Sequence, residues 1–279
     1  MSDLPPGAVR VPLGAGTEVL AEEVPVALVF DGVTQAVMMA TPADLGDFLL
    51  GFALSEGLID TPADLLRVEI VEQPMPNGTR TIEARGWLAA PAGARFVERR
   101  RVMAGPVGCG LCGIDSLHQA LRPLPRAPRG GCAGLAPGAP APNPDDIARL
   151  ALDALRAGQG LQDAVRAVHA AGFWTPARGM ITLREDVGRH NALDKLAGAL
   201  AGAGLDPATG AVVMTSRLSV DLVQKAAMIG AATLIAPSAP TALAVAEART
   251  AGLRLIARAP HLGQFADYSA PFPAQDDAA

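Results

Sequence analysis

Cys109-Gly110-Leu111-Cys112-Gly113 is the segment whose residue types and spacing most directly suggest chemistry. Thiolate is the reactive form of cysteine, and a cysteine at a helix opening, with backbone N–H groups aimed at it, has its pKa lowered. Glycines at 108, 110 and 113 leave the sulfur unshielded. Such a pair suits thiol exchange, a persulfide or half of a metal site, and spacing alone does not choose among them. Cys132 and His118 could complete four zinc ligands. Against that, Cys132 sits in a proline-rich stretch and His118 falls a turn or more into the helix expected over 114–121. A thioredoxin-type pair would follow the first strand of a βαβ unit, and no such unit precedes Cys109.

A second cluster is Arg184-Glu185-Asp186-Val187-Gly188-Arg189-His190-Asn191-Ala192-Leu193-Asp194-Lys195, expected between an apolar strand and a helix start. A helix start is where a phosphate or carboxylate is held. Arg184, Arg189, His190 and Lys195 supply positive donors, which Glu185, Asp186 and Asp194 can orient. Surface ion pairs at a capped helix entrance are the plainer explanation of any one of these charges. A third cluster, Ser216-Arg217-Leu218-Ser219 with Gln224 and Lys225, suits an anionic group such as a diphosphate, although Ser219 reads equally well as a helix cap. Capping also accounts for Thr241. His169 reads as a hydrogen-bonded core residue, and Glu56 and Arg100 as isolated polar residues without a visible partner.

The elements that must position these residues follow from pattern. Strands at 24–30 and 33–39 flank Asp31-Gly32, a hairpin signal. Thr41-Pro42-Ala43-Asp44 predicts a helix start with Thr41 as N-cap, leading into a stripe of Leu45, Phe48, Leu49 and Phe52. Further strands are expected at 66–71 and 79–84. Residues 123–144 hold seven prolines in 22 positions and read as a linker loop. Asn143-Pro144-Asp145-Asp146 reopens a helix with a cap, a first-turn proline and two acids at its positive end. Beyond it, strands at 168–173, 180–183, 211–215, 233–236 and 253–257 alternate with helices at 190–203, 219–229 and 241–251, which predicts largely parallel β structure. Ligands of such sheets sit at the carboxyl ends of strands, here loops 184–189, 216–219, 237–240 and from Arg258 onward. The expected organisation is a flexible tail over 1–15, an N-terminal α+β domain over 16–103, an α/β domain over 104–268 and a tail over 269–279.

Composition narrows the classes. The chain has 279 residues, half of them apolar, which is enough for a sizeable core. Its formal net charge of −5 gives no general attraction to nucleic acid or an anionic membrane. Three cysteines cannot form a disulfide framework, which argues for a reducing cytoplasm. No signal peptide is visible. The uncharged run 226–246 is long enough to span a bilayer, but Gly230, Pro237 and Pro240 divide it into separate elements.

Taken with Met39-Ala40-Thr41-Pro42, Ser55-Glu56-Gly57, His169-Ala170-Ala171 and Ser238-Ala239-Pro240-Thr241, the Cys pair and the Arg184-to-Lys195 run make the chain resemble the formate dehydrogenase accessory sulfurtransferase family over about residues 17–268. The chain departs from it at Val165-Arg166-Ala167, where the family often shows Thr-Gly-Gly. The resemblance implies an α/β fold: a cytidine-deaminase-like mixed sheet with flanking helices but no zinc, plus a smaller N-terminal α+β domain, in a homodimer. It implies a sulfur carrier that takes persulfide sulfur from a cysteine desulfurase to the Mo (or W) bis(molybdopterin guanine dinucleotide) cofactor before that cofactor enters formate dehydrogenase. Carried over, Cys109 bears the persulfide and Cys112 assists. The cofactor is met by Arg258, Ala259, Pro260, His261, Leu262, Gly263 and Gln264, with Arg189, His190, Ser216, Arg217 and Ser219 at the same strand ends, and no resident metal is expected. The alternative is a non-catalytic cofactor-binding chaperone whose Cys pair is structural.

Overall fold

A computed structural model describes residues 4–75, 79–90, 92–93, 123–128 and 143–269. Cys109, Cys112, Cys132, His118 and Arg100, and most of the expected linker, lie outside the described residues.

The N-terminal unit is a four-stranded sheet of order β4-β3-β6-β5, made of β3 (Val24–Phe30), β4 (Val33–Ala40), β5 (Leu65–Pro74) and β6 (Arg80–Leu88). Asp31 and Gly32 take φ of 49° and 78°, the positive values that a two-residue hairpin turn demands and that the Asp-Gly pair anticipates. Helix α1 (Leu45–Ser55) lays Phe48, Leu49, Phe52 and Ala53 against this sheet, all buried. Thr41 is not its cap. Asp44 precedes the helix in a left-handed conformation (φ 55°), with no side-chain cap, because Thr41 is engaged elsewhere. The expected loose tail is likewise corrected: β1 (Ala8–Leu13) and β2 (Gly16–Ala21) form a hairpin, and Ala8, Val19 and Ala21 pack on Leu161, Val165 and Val168.

The second unit is a mixed six-stranded sheet of order β12-β11-β10-β9-β7-β8, with helices on both faces, in agreement with the expected fold class. Its strands are β7 (His169–Thr175), β8 (Gly179–Asp186), β9 (Ala211–Met214), β10 (Thr233–Ala236), β11 (Arg254–Ala259) and β12 (Gln264–Asp267). Helix α2 (Pro144–Ala157) covers one face, with Asn143 capping Asp145 N–H at 3.0 Å, as its sequence predicts. The short α3 (Gly160–Val165) follows and ends on Arg166, whose φ of 54° is a conformation that favours glycine. The other face carries α4 (Arg189–Gly202), α5 (Val220–Met228) and α6 (Ala242–Ala251). The uncharged run 226–246 is thus the end of α5, β10 and the start of α6. Among the described residues no helix is long and apolar enough to cross a membrane.

The two units share an interface without spacing side chains. A Cβ on Gly51 of α1 would lie 1.7 Å from Asp194 O, and one on Gly198 of α4 would lie 1.9 Å from Asp47 O. Backbone therefore meets backbone, and α4, between the large sheet and α1, is buried on nearly every side. That explains why its sequence shows no clear polar face.

Candidate functional site

β8 and β9 both run antiparallel to β7, which lies between them, while β9, β10 and β11 are mutually parallel. Four strands consequently finish at one edge of the sheet, at Asp186, Met214, Ala236 and Ala259, and β7 starts there at His169. The loops expected to meet a ligand are all at this edge.

Most charges of the Arg184-to-Lys195 run are nevertheless consumed in holding the two units together, which corrects their reading as ligand donors. Arg184 pairs with Asp47 at 2.7 Å. Glu185 accepts N–H groups of Leu161 and Gln162 at 2.8 and 2.9 Å. Asp186, fully buried, pairs with Lys195 at 2.6 Å and accepts from Thr41 N at 3.0 Å, Gly188 N at 2.7 Å and Asn191 Nδ2 at 2.9 Å. Lys195 also donates to Thr41 O at 2.8 Å, and Val187 N donates to Thr41 Oγ1 at 3.1 Å. Thr41 thus spends its hydroxyl, amide and carbonyl between units.

A second buried cluster is built on Asp194, the residue before Lys195 on α4. Lys225 Nζ contacts both oxygens of Asp194 at 2.9 and 3.0 Å, Ser55 Oγ at 3.0 Å and Glu56 Oε1 at 2.7 Å. Ser55 in turn donates to Asp194 Oδ1 at 2.6 Å. Burial pushes the Asp194 carboxyl up, against the pull of Lys225 and Ser55. Burial alone would lower Lys225, but the charges of Asp194 and Glu56 outweigh it and hold the ammonium above its ordinary value. Glu56, an isolated polar residue by sequence, is therefore a member of this cluster.

At the edge itself, His190 Nε2 pairs with Asp221 Oδ2 in the first turns of α4 and α5. Burial raises the Asp221 carboxyl, but the hydrogen bond and charge of His190 prevail and bring it down to about 2. His169 stands half-buried with Nδ1 3.4 Å from Thr215 Oγ1. Its pKa is lowered, first by burial and then by the charges of Arg189 and His190, with Asp186 opposing. The ring is accordingly neutral near neutral pH, and we expect its NMR titration midpoint to fall below the ordinary 6.5. As pH falls through that ordinary value the unfolded chain takes the proton first, so the folded state loses stability on acidification. A midpoint at or above 6.5 would contradict this charge arrangement.

Ser216 is buried and donates to Arg217 O at 3.0 Å, whereas Arg217 is exposed. Ser219 precedes α5, but its hydroxyl makes no capping bond, so the capping explanation fails there. It holds at Thr241, which accepts from Ala244 N at 3.2 Å. Residues 258–264 form the turn joining β11 to β12: Arg258 lies over the Phe265 ring at 5.6 Å, Ala259 is buried, and Pro260, His261, Leu262, Gly263 and Gln264 are exposed.

The FdhD/NarQ family matches residues 21–272 of this sequence. The chain belongs to that family. Among its curated FdhD/NarQ relatives, the Sulfur carrier protein FdhD of Agrobacterium fabrum is 46% identical over 87% of this chain and 84% of that protein. The protein of the same name from Cupriavidus necator is 48% identical over 85% of this chain and 77% of its own length. A crystal structure of a proposed formate dehydrogenase accessory protein from Desulfotalea psychrophila shares the fold, with a TM-score of 0.59 at 23% identity, covering 95% of this chain and 96% of that one.

Within this FdhD/NarQ fold, the candidates Arg189, His190, Ser216, Arg217, Ser219 and 258–264 all fall at one sheet edge. Asp221 and His169 belong with them and were not singled out as site residues by sequence. The available signals were Asp221 in the first turn after Ser219, and His169 at the start rather than the middle of its strand. Among the described residues no group of three or more His, Cys, Asp or Glu side chains is arranged to hold a metal.

Proposed function

We propose that the chain is a sulfur carrier of formate dehydrogenase maturation, a sulfurtransferase in which Cys109 carries a persulfide assisted by Cys112. The observation that carries this reading is the kinship, across nearly the whole chain, with proteins named sulfur carriers, in a sequence that retains Cys109-Gly110-Leu111-Cys112-Gly113. In the transfer, the Cys109 thiolate attacks the outer sulfur of a cysteine desulfurase persulfide. The donor S–S bond breaks, the donor leaves as a thiolate, and the new S–S bond forms on Cys109, with no net oxidation. In the second transfer the Cys109 S–S bond breaks, Cys109 leaves as a thiolate, and the sulfane sulfur passes to the molybdenum or tungsten bis(molybdopterin guanine dinucleotide) substrate, which supplies the two electrons that make it sulfide, before that substrate enters formate dehydrogenase. Its diphosphates suit Arg189 and Arg217, with His190, Ser216 and Ser219 along the same edge, and the exposed residues 260–264 offer backbone groups there. The setting is a cytoplasmic homodimer that binds neither nucleic acid nor membrane.

Incubation with a desulfurase and cysteine is expected to add the mass of one sulfur atom to the wild type and nothing to Cys109→Ala, as read by intact-protein mass spectrometry. Equal sulfur gain by that variant would remove Cys109 from the role. Full formate dehydrogenase maturation by Cys109→Ala would favour a cofactor chaperone with a structural Cys pair.

A further inference from the structure

Two side-chain pairs join α4 to α5, and their spacing is regular. His190 and Asp194 are four residues apart on α4, and Asp221 and Lys225 are four apart on α5, so the pairs His190–Asp221 and Asp194–Lys225 lie one turn apart. Their order is reversed, with the carboxylate on α5 in the outer pair and on α4 in the inner one. The inner pair is anchored from α1 by Ser55 and Glu56. The outer pair, with side chains 14% and 13% exposed, sits where the helices open toward the sheet edge.

An inner pair of this kind already fastens the two helices, and the outer one needs a separate reason. Neither first turn has a side-chain cap: Gly188 precedes α4, and Ser219 makes no capping bond to α5. Uncapped first turns fray. The outer pair ties these two turns to each other. Arg189 adjoins His190, and Arg217 and Ser219 lie just before Asp221, so the same tie fixes the distance between the residues on the two sides of this edge.

We propose that Asp221 is a positioning residue for the substrate edge: through His190 it sets the separation between Arg189 on α4 and the 216–219 segment before α5, and thereby fits the edge to a diphosphate-bearing substrate. The choice of substrate rests on the function proposed above; the mechanical role does not. Around the pair, the Ser219 hydroxyl and the backbone amide of Asp221 act on the Asp221 carboxyl, and His169 on β7 feels His190 together with Arg189 on α4 and Asp186 on β8. Asp194 and Asp186 have basic partners of their own, Lys225 and Lys195, so neither carboxylate competes for His190.

The test uses the full chain, with Asp221→Asn, His190→Asn, the double variant and Asp221→Glu. Amide exchange without ligand should quicken over 188–192 and 219–223 in both Asn variants and remain slow further along each helix. Guanosine diphosphate affinity, read by calorimetry, should fall about tenfold in each single variant and no further in the double, because the pair acts as a unit, while Asp221→Glu should recover most of it. Unchanged exchange in Asp221→Asn overturns the proposal. Faster exchange with unchanged affinity also overturns it, reducing the pair to a structural tie and leaving the carrier function intact. If the wild type does not bind guanosine diphosphate, the substrate-positioning role falls and only the tie between the two first turns is left, while sulfur loading on Cys109 stands or falls by its own mass measurement.

Discussion

Replacing Lys225 with methionine should destabilise the protein by about 3–5 kcal/mol, because the methionine fills the space of the lysine stem but leaves the Asp194 carboxylate buried without a counter-charge. Asp194 is 1% exposed on its side chain, and with the ammonium gone Ser55 remains as its close donor among the described residues. Neither oxygen can turn to water. The carboxyl would respond by taking a proton, adding to the upward push that burial already exerts. Denaturant unfolding at neutral pH measures the effect, and the loss should shrink as pH falls toward the range where the unfolded chain also protonates its carboxylates. Removing both charges together, as Asp194→Leu with Lys225→Met, should recover a good part of the stability, since the desolvation cost disappears with the pair. A loss below about 1 kcal/mol for Lys225→Met would mean that water reaches the cluster and that the units are not sealed there.

The second large effect is expected at Gly51. Alanine is the better helix former by about 1 kcal/mol, so a helix glycine with room around it gains from the change. Gly46, in the first turn of α1 with nothing within 4 Å of where an added methyl group would stand, is such a case, and Gly46→Ala should stabilise. At Gly51 the added Cβ would stand 1.7 Å from Asp194 O and 2.6 Å from Gly198 N. Both are backbone atoms of α4 and cannot rotate away. The helices must separate, which also stretches the Lys225 cluster and opens the layer of Phe48 and Phe52, so a loss of about 3 kcal/mol or more is expected. Opposite signs for the two alanine variants in one unfolding assay would establish the close approach. Equal signs would refute it.

Much of the architecture was legible because it is written in local rules. The Asp31-Gly32 hairpin, the Asn143-Pro144 helix start and the strand-helix alternation after residue 168 each depend on neighbours within a few positions. The failures are of the opposite kind. Thr41 has the form of a helix cap, but partners 145 and 146 residues away, Asp186 and Val187, claim its amide and hydroxyl. Residues 1–15 looked like a proline- and glycine-rich tail, yet 8–13 pair with 16–21 because α3 gives Ala8, Val19 and Ala21 a surface to cover. In the Arg184-to-Lys195 run, the concentration of charge was visible, while its use was not. Ser55 and Asp194 are separated by 139 residues and Ser55 and Lys225 by 170, so no spacing rule brings them together. The sheet edge was legible as a place, and the division between residues that face it and residues that brace it emerged only from the partners.

The glycine contact between α1 and α4 has a further bearing on how such a chain can change over time. Where two helices touch through side chains, either can drift and the other repack. Here Gly51 faces the Asp194 carbonyl and Gly198 faces the Asp47 carbonyl, so neither surface has slack to absorb a change in the other. A chimera that borrowed residues 24–88 from a homologue should therefore fold only if the borrowed helix keeps glycine at position 51, because the Asp194 carbonyl opposite it is backbone and stands there whatever its side chain.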